Sequence, residues 1–179
     1  MEHYRECAQG LIGSNSRLSF GCGMPEHVKI VYNLLLNKAV KQVYLFHLGD
    51  SIGLIDNPQI HRDLEKAVGR NVALDVMTRF DDTQGVEFRR RIDSLAEESF
   101  LVHHTRVPKG FRNVDEKYFN FLVVDSEAVR LGEGKLKGGF AYGSNTKMAN
   151  QLIGIFEKLR EDIDSARDTV RGVGTAIQV

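Results

Sequence analysis

The chain has 179 residues, of which 42% are hydrophobic and 27% are charged. This length fits one domain, and the composition is that of a globular protein, which excludes collagen-like, coiled-coil and disordered chains. The 24 basic and 24 acidic residues balance, so no overall field attracts nucleic acid or anionic lipid. A site for a polyanion must therefore be a local patch.

Other features of the sequence bear on the cellular location of the protein and on whether it binds a cofactor. Cys7 and Cys22 are too few for a disulfide framework, and they lack the spacing of a metal-binding pair. Residues 1–10 contain no apolar signal region, and no apolar run approaches the ~20 residues that span a bilayer. The sequence also has no phosphate-binding glycine loop and no zinc or hydrolase signature. We expect a cytoplasmic protein with no membrane segment, metal or cofactor.

The first two thirds of the chain alternate between helical and strand patterns. Three segments have apolar residues at helical spacing: 25–39, 58–69 and 84–98. Three short apolar runs predict buried strands: 43–48, 71–78 and 100–105. Pro25 and Pro58 suit the first turn of a helix, and Asn57 is a good cap. The alternation predicts an α/β fold with a mixed, mostly parallel sheet flanked by helices.

The pattern changes after residue 106. A loop at 107–117 leads to a strand at 118–125, a hairpin partner at 128–131 and, after a Gly- and Lys-rich turn, a short strand at 140–142. The clearest amphipathic stripe predicts a last helix from Met148 to Ala166, capped by Ser144, Asn145 or Thr146. We divide the chain into a lead-in segment (1–24), one domain (25–167) and a flexible tail (168–179).

The strand at 118–125 carries three polar residues of interest. Tyr118 and Asn120 share one face because strand side chains alternate, and Asp125 lies at the strand's end. This spacing resembles the His-x-Lys-(x)4-Asp motif of the phospholipase D superfamily. Asp125 matches that motif in identity, whereas Tyr118 stands at the position of its His and Asn120 at that of its Lys.

Two other features support the resemblance. Gly143-Ser144-Asn145 is similar to the family's downstream Gly-Ser-x-Asn element, although at a longer interval, and the order of predicted elements from Pro25 to Ala166 fits one phospholipase D-like domain. The resemblance implies a homodimer that pairs two motif strands, with Tyr118 and Asn120 close to a two-fold axis.

The two replacements argue against catalysis. In the family the His attacks phosphorus and the Lys neutralises phosphate oxygens. A tyrosine phenol has a pKa near ~10 and needs activation before it attacks, and Asn120 brings no charge. Losing a preorganised stabilising group costs ~3 kcal/mol or more at the transition state. We therefore expect no catalytic residues and no phospholipase turnover.

The segment from Arg106 to Lys147 has a net charge of +3, with eight basic and five acidic residues. A basic loop of this kind beside a phosphate site is suited to bind nucleic acid through the backbone. The candidate ligand-binding residues are Asn120, Arg106, Lys109, Arg112, Lys117, Lys135, Lys137, Ser144, Asn145 and Lys147.

Other polar residues follow the predicted strands. The carboxyl ends of parallel strands form the usual ligand crevice, which places these residues near one rim: His47, Asp50, Ser51, Arg79, Asp81, Asp82 and Arg106. We favour helix capping and turn formation as the explanation of these residues over a ligand site. His103 and His104 are adjacent on a strand, so they point to opposite faces and cannot share a metal.

The sequence thus predicts an inactive phospholipase D-like protein that binds nucleic acid or another phosphate-bearing ligand. Two alternatives stay open. One is an interaction scaffold without a small ligand, in which the N-terminal segment and the tail dock a partner. The other is a weak phosphodiesterase or nuclease that uses Tyr118, His47 or His103.

Overall fold

The computed structural model describes residues 1–47, 57–78, 86–108, 120–132 and 139–174, with side chains described as far as residue 167. These residues form helices and one sheet. The helices are α1 (Glu2–Gly13), α2 (Pro25–Lys38), α3 (Pro58–Gly69), α4 (Val86–Glu98) and α5 (Thr146–Gly174). The strands are β1 (Ser19–Gly21), β2 (Gln42–His47), β3 (Ala73–Thr78), β4 (Val102–Arg106), β5 (Asn120–Val124), β6 (Ala128–Gly132) and β7 (Gly139–Tyr142).

The sheet has seven strands in the order β1-β7-β6-β5-β2-β3-β4. Among the described strands, the pairs β2–β3 and β3–β4 are parallel. The other pairs, β2–β5, β5–β6, β6–β7 and β1–β7, are antiparallel. The α/β fold class is confirmed, but the sheet is mixed rather than mostly parallel, because β5, β6 and β7 follow one another as antiparallel neighbours and β1 extends that side.

Both ends of the chain are more regular than predicted. Residues 1–24 were expected only as a lead-in, yet they form α1 and the edge strand β1, whose Ser19 lies opposite Tyr142. Lys38 of α2 connects this segment to the rest of the domain. Its Nζ donates hydrogen bonds to the carbonyl of Ile12, to the Asn15 side chain and to the carbonyl of Gly143. The predicted tail begins inside α5, which continues to Gly174.

The sheet lies between two layers of helices. Its first face, with Val43, Leu45 and Val76, packs in one apolar cluster with residues of α2, α3 and α4. Its second face, with Tyr44 and Phe46, packs against α5. The sheet therefore has an apolar cluster on each of its two faces.

Local signals fix where the helices begin, as predicted. Pro25 and Pro58 occupy the first positions of α2 and α3. Asn57 caps α3, its Oδ1 accepting a hydrogen bond of 2.8 Å from the backbone N–H of Gln59. Of the three candidate caps for the last helix, Asn145 has that role, since its Oδ1 accepts from the backbone N–H of Met148.

The two ends of the sheet differ. At one end, which we call the braced end, five connections of three residues each are described: 39–41, 70–72, 99–101, 125–127 and 143–145. At the other end, the polar end, β2, β3 and β4 finish, β5 begins and β6 leads into β7. The longer connections 48–57, 79–85, 107–119 and 133–138 join these strand ends, and parts of them lie outside the described residues.

Candidate functional site

Buried polar side chains cross the polar end in a row on the first face. His47 lies opposite Thr78, and Thr78 lies opposite Arg106. Asn120 is the next residue beyond the pair Phe46–Phe121, which brings it alongside His47. His47, Thr78 and Asn120 are buried, whereas the Arg106 side chain is exposed. Four strands thus place Asn120, His47, Thr78 and Arg106, which we call the polar row, at one edge.

Arg130 of β6 adds a positive charge beside this row. Its side chain is on the first face, only 5% of the residue is exposed, and no carboxylate of the described residues lies within ion-pair distance. The guanidinium lies over Gly132, which is opposite Asn120, and a Cβ at Gly132 would come within 2.6 Å of Nη2. Glycine at 132 therefore leaves the space that the guanidinium occupies next to Asn120.

Three more side chains surround this guanidinium. It lies 5.6 Å from the ring centre of Tyr32, whose hydroxyl is buried. Burial raises the pKa of Tyr32 and of the Cys22 thiol, and the positive charge of Arg130 opposes both shifts. Burial and then the charge of Arg130 lower the pKa of His47 to about 3. The imidazole of His47 is thus neutral at physiological pH, and Arg130 carries the charge of the cluster.

At the Thr78 and Arg106 side of the polar row, a chain of hydrogen bonds links β3, β4 and α4. The Nδ1 of His104 lies 2.9 Å from Asp93 Oδ1, and its Nε2 lies 2.9 Å from the Thr78 hydroxyl. Burial lowers the pKa of His104 although Asp93 opposes this shift. In the neutral ring Nδ1–H donates to the carboxylate and Nε2 accepts from Thr78. Arg106 pairs with the same carboxylate of Asp93.

The motif aspartate lies at the braced end, away from Asn120. Asp125 Oδ1 accepts hydrogen bonds from the backbone N–H groups of Lys41 (2.8 Å) and Gln42 (2.9 Å), and Oδ2 accepts one from Val40 (2.9 Å). Asp125 is five positions beyond Asn120, just past the opposite end of β5, which corresponds to about 16 Å at the rise of an extended strand. Asn120 and Asp125 therefore do not share one rim, because they lie at opposite ends of β5.

The Gly-Ser-Asn segment lies at the same braced end. The carbonyl of Gly143 accepts from Lys38, the backbone N–H of Ser144 donates to Ser16, and Asn145 caps α5. Ser144, Asn145 and the exposed Lys147 therefore do not join Asn120 in one site. The glycine opposite Asn120 is Gly132.

Several predicted site residues lie outside the described residues. They are Tyr118 and the basic residues Lys109, Arg112, Lys117, Lys135 and Lys137, together with Asp50, Ser51, Arg79, Asp81 and Asp82. All lie in the stretches 48–56, 79–85, 109–119 and 133–138 of the sequence.

The two alternative histidines have different surroundings. His47 is only 1% exposed and sits at the centre of the polar row. His103 is exposed, and it alternates along β4 with His104, which faces Thr78. His103 therefore projects from the second face, away from Arg130.

Sequence reasoning overlooked Arg130 and Tyr32 as site residues. Arg130 entered only as one of eight basic residues, and Tyr32 only as an apolar position of a helix. A signal was present, because Arg130 lies inside the run Ala-Val-Arg-Leu-Gly, whose hairpin partner is apolar. An arginine inside a strand that is covered on both faces has to be buried.

Within the described ranges, no cluster of three or more His, Cys, Asp or Glu side chains could hold a metal ion. The described helices include none that is long and apolar enough to cross a membrane. Cys7 is exposed and Cys22 is buried, and neither forms a disulfide.

Comparison with known proteins identifies the fold. No family model matches the sequence, and no curated protein matches it significantly. Solved structures do: TrmBL2, an archaeal chromatin protein whose structure shows a novel mode of DNA binding, superposes on 90% of this chain with a TM-score of 0.63 at 15% identity. Nuc from Salmonella typhimurium, a phospholipase D family member, superposes on 80% with a TM-score of 0.58 at 10% identity.

Polyphosphate kinase from Porphyromonas gingivalis superposes on 90% of this chain with a TM-score of 0.61 at 11% identity. The match covers 93% of the Nuc chain, but only 59% of the TrmBL2 chain and 29% of the kinase chain. At these identities the similarity shows the fold, which is phospholipase D-like.

Proposed function

We propose that this protein is a non-catalytic phospholipase D-like domain that binds nucleic acid, or another phosphate-bearing ligand, at the polar end. The observation that carries the proposal is the buried guanidinium of Arg130 beside Asn120. A phosphate-binding site needs positive charge and hydrogen-bond donors, and the polar end has both. The DNA binding named for TrmBL2 agrees with this choice of ligand.

The absence of turnover is part of the proposal. Tyr118 and Asn120 replace the reactive imidazole and the ammonium of the motif, and the motif aspartate is engaged by three backbone N–H groups. His47 is neutral, as a nucleophile has to be, but it is almost fully buried. His103 is exposed but lies on the second face, away from the polar row.

A hydrolysis assay tests this part. We expect the purified protein to release no nitrophenol from bis(4-nitrophenyl) phosphate and to leave an end-labelled oligonucleotide intact. If the wild type does turn over either substrate and Tyr118→Phe abolishes the reaction, the domain is an enzyme and this part of the proposal fails. Turnover that survives in Tyr118→Phe but is lost in His47→Gln or His103→Gln contradicts it equally.

A binding assay tests the ligand. We expect a fluorescent oligonucleotide to bind at low salt and to dissociate as salt rises, because backbone contacts release counterions. Lys135→Glu/Lys137→Glu should weaken binding about tenfold or more at low salt. The matched control is Lys66→Glu/Lys158→Glu, which changes the net charge equally at two exposed helix positions. Equal effects of both double variants would remove the basic connections from the proposal.

The proposal includes a homodimer, as the family resemblance implies, with Tyr118 and Asn120 close to the two-fold axis. Sedimentation equilibrium measures the mass directly. A protein that stays monomeric at all concentrations up to about 100 µM would contradict the dimer. Ligand binding would not be affected, because a single chain can supply the ~8 kcal/mol of binding free energy that a dissociation constant of 1 µM requires.

A further inference from the structure

A buried arginine with no carboxylate partner among the described residues needs an explanation. Removing a guanidinium from water is unfavourable unless an opposite charge or several hydrogen bonds replace the solvent. Arg130 has no ion-pair partner among the described residues, and its Nε is buried without a hydrogen-bond acceptor. The Tyr32 ring offers a cation–π contact at 5.6 Å, which satisfies the face of the guanidinium but not its Nε–H group.

A second buried donor lies beside it. The hydroxyl of Tyr32 is buried and forms no hydrogen bond of regular geometry within the described chain, although it lies close enough to Arg130 for the charge to affect its pKa. Guanidinium N–H groups donate only, and the phenol O–H is free to donate. Arg130 Nε–H and the phenol O–H thus have no acceptor among the described residues, and a group that brings oxygen atoms and negative charge would satisfy both.

The backbone keeps space for this arrangement. A Cβ at Gly139 would come within 3.3 Å of Arg130 Nη2, and one at Gly132 within 2.6 Å of the same atom. Both glycines pair with each other at the polar end, where β6 finishes and β7 begins. The guanidinium therefore reaches the edge of the sheet beside Asn120.

We infer that Arg130 and Tyr32 form a subsite for one phosphate group, the guanidinium holding two of its oxygens and the Tyr32 hydroxyl a third. This inference rests on the proposed function and names the residues that supply its positive charge. A phosphate group fits because its oxygens accept a planar pair of N–H groups from arginine. The ligand is a phosphate ester or inorganic phosphate, and nucleic acid is one source of the former.

If Arg130 serves ligand binding, its buried charge should lower the stability of the ligand-free protein. In the absence of ligand, Arg130→Gln removes a buried charge that has no carboxylate partner within the described ranges, and we expect its melting temperature to equal or exceed that of the wild type. A fall of several degrees would mean that Arg130 stabilises the fold, and would overturn the inference.

Ligand titration provides the second test. Inorganic phosphate, adenosine monophosphate and a short oligonucleotide are added separately to the wild type, and each that binds at 100 times its dissociation constant should raise the melting temperature by about 5 °C or more. Arg130→Gln should weaken binding tenfold to a hundredfold, and Tyr32→Phe, which removes only the hydroxyl, about fivefold. Gly132→Ala should weaken it too, because its Cβ displaces the guanidinium without removing the charge.

A matched control and the pattern of results separate this inference from the proposed function. Arg62→Gln removes a guanidinium from the exposed face of α3 and should leave binding unchanged. Oligonucleotide binding that is equal in wild type and Arg130→Gln overturns the subsite and leaves the proposed function standing. Binding of inorganic phosphate that depends on Arg130, without oligonucleotide binding, supports the subsite and excludes nucleic acid as its ligand. No binding of any of the three overturns both.

Discussion

The carboxylate of Asp125 accepts a hydrogen bond of 2.8 Å from the backbone N–H of Lys41, a residue 84 positions away in the sequence. The same carboxylate binds the N–H groups of Val40 and Gln42. The turn that presents Asp125 has positive φ at both Asp125 and Ser126, a conformation that Asp tolerates better than most residues. The hairpin thus anchors the connection between α2 and β2, the first of the three parallel strands.

The first prediction concerns this anchor. Asp125→Ala should lower the free energy of unfolding by about 3 kcal/mol, because three backbone donors lose a charged acceptor and Ala is unfavourable at positive φ. Asp125→Asn, which keeps one acceptor oxygen and tolerates this φ, should lower it by about half as much. Urea denaturation measures both. A loss below about 1 kcal/mol for Asp125→Ala would contradict the structural role.

The second prediction compares two glycines. A Cβ at Gly143 would overlap the carbonyl oxygen of Leu11 and lie 2.8 Å from Ser16 N, both of them backbone atoms that cannot move aside. Gly143→Ala should therefore destabilise the protein by about 2 kcal/mol or more. Gly154→Ala is the control, since nothing lies within 4 Å of its Cβ in α5, and it should stabilise by up to about 1 kcal/mol. Thermal melts of the two variants should shift in opposite directions.

The third prediction is a pH dependence. The pKa of His47 is lowered to about 3 by burial and by Arg130, and burial also lowers that of His104. Below the unfolded value of ~6.5 the unfolded chain takes up protons that the folded protein does not, so stability falls as the pH decreases from ~6.5 toward each folded pKa. Each group contributes a slope of up to about 1.4 kcal/mol per pH unit.

The measurement is urea denaturation between pH 7 and pH 5. His47→Gln should remove about 2 kcal/mol from the decrease in stability over this interval, whatever its effect on stability at pH 7. His103→Gln, at an exposed position on β4, should keep the slope of the wild type. A slope that is the same in His47→Gln and in the wild type would show that His47 is protonated in the folded protein.

The fourth prediction concerns an ion pair on the second face. Asp75 is buried in β3, and its carboxylate accepts hydrogen bonds of 2.9 Å from Arg160 of α5 and from the Gln42 side chain. Arg160→Met should destabilise the protein by about 2 kcal/mol, because it leaves the buried carboxylate with one neutral donor. Arg90→Met breaks an exposed pair with Glu87 and should cost under about 0.5 kcal/mol. Similar costs for both would contradict the distinction.

Sequence reasoning predicted most of the elements and missed how some of them pair. The helix from Pro25, the cap at Asn57 and the hairpin partner from Ala128 are confirmed, because each depends on residues close in sequence. The edge strand β1 has only three residues and no apolar alternation that could identify it. Its pairing with β7 depends on a contact more than 120 residues away, and local patterns carry no information about it.

The candidate site was predictable in part. The position of Asn120 on its strand and its burial follow from the alternation of side chains along a strand. The sequence pattern does not show at which end of the sheet Asp125 and Ser144 lie. Arg130 was counted as a loop cation because net charge ignores burial. Its role depends on the space left by Gly132 and Gly139 and on Tyr32 from α2, three residues that only the folded chain brings together.

The short connections at the braced end have a consequence for how such a domain can be redesigned. Each has three residues, and several are fixed by specific backbone hydrogen bonds, so adding or deleting a residue there shifts the register of an entire strand. The longer connections at the opposite edge can be exchanged as whole cassettes without altering that register. The scaffold therefore separates the connections that set strand register from those whose sequence and length can vary.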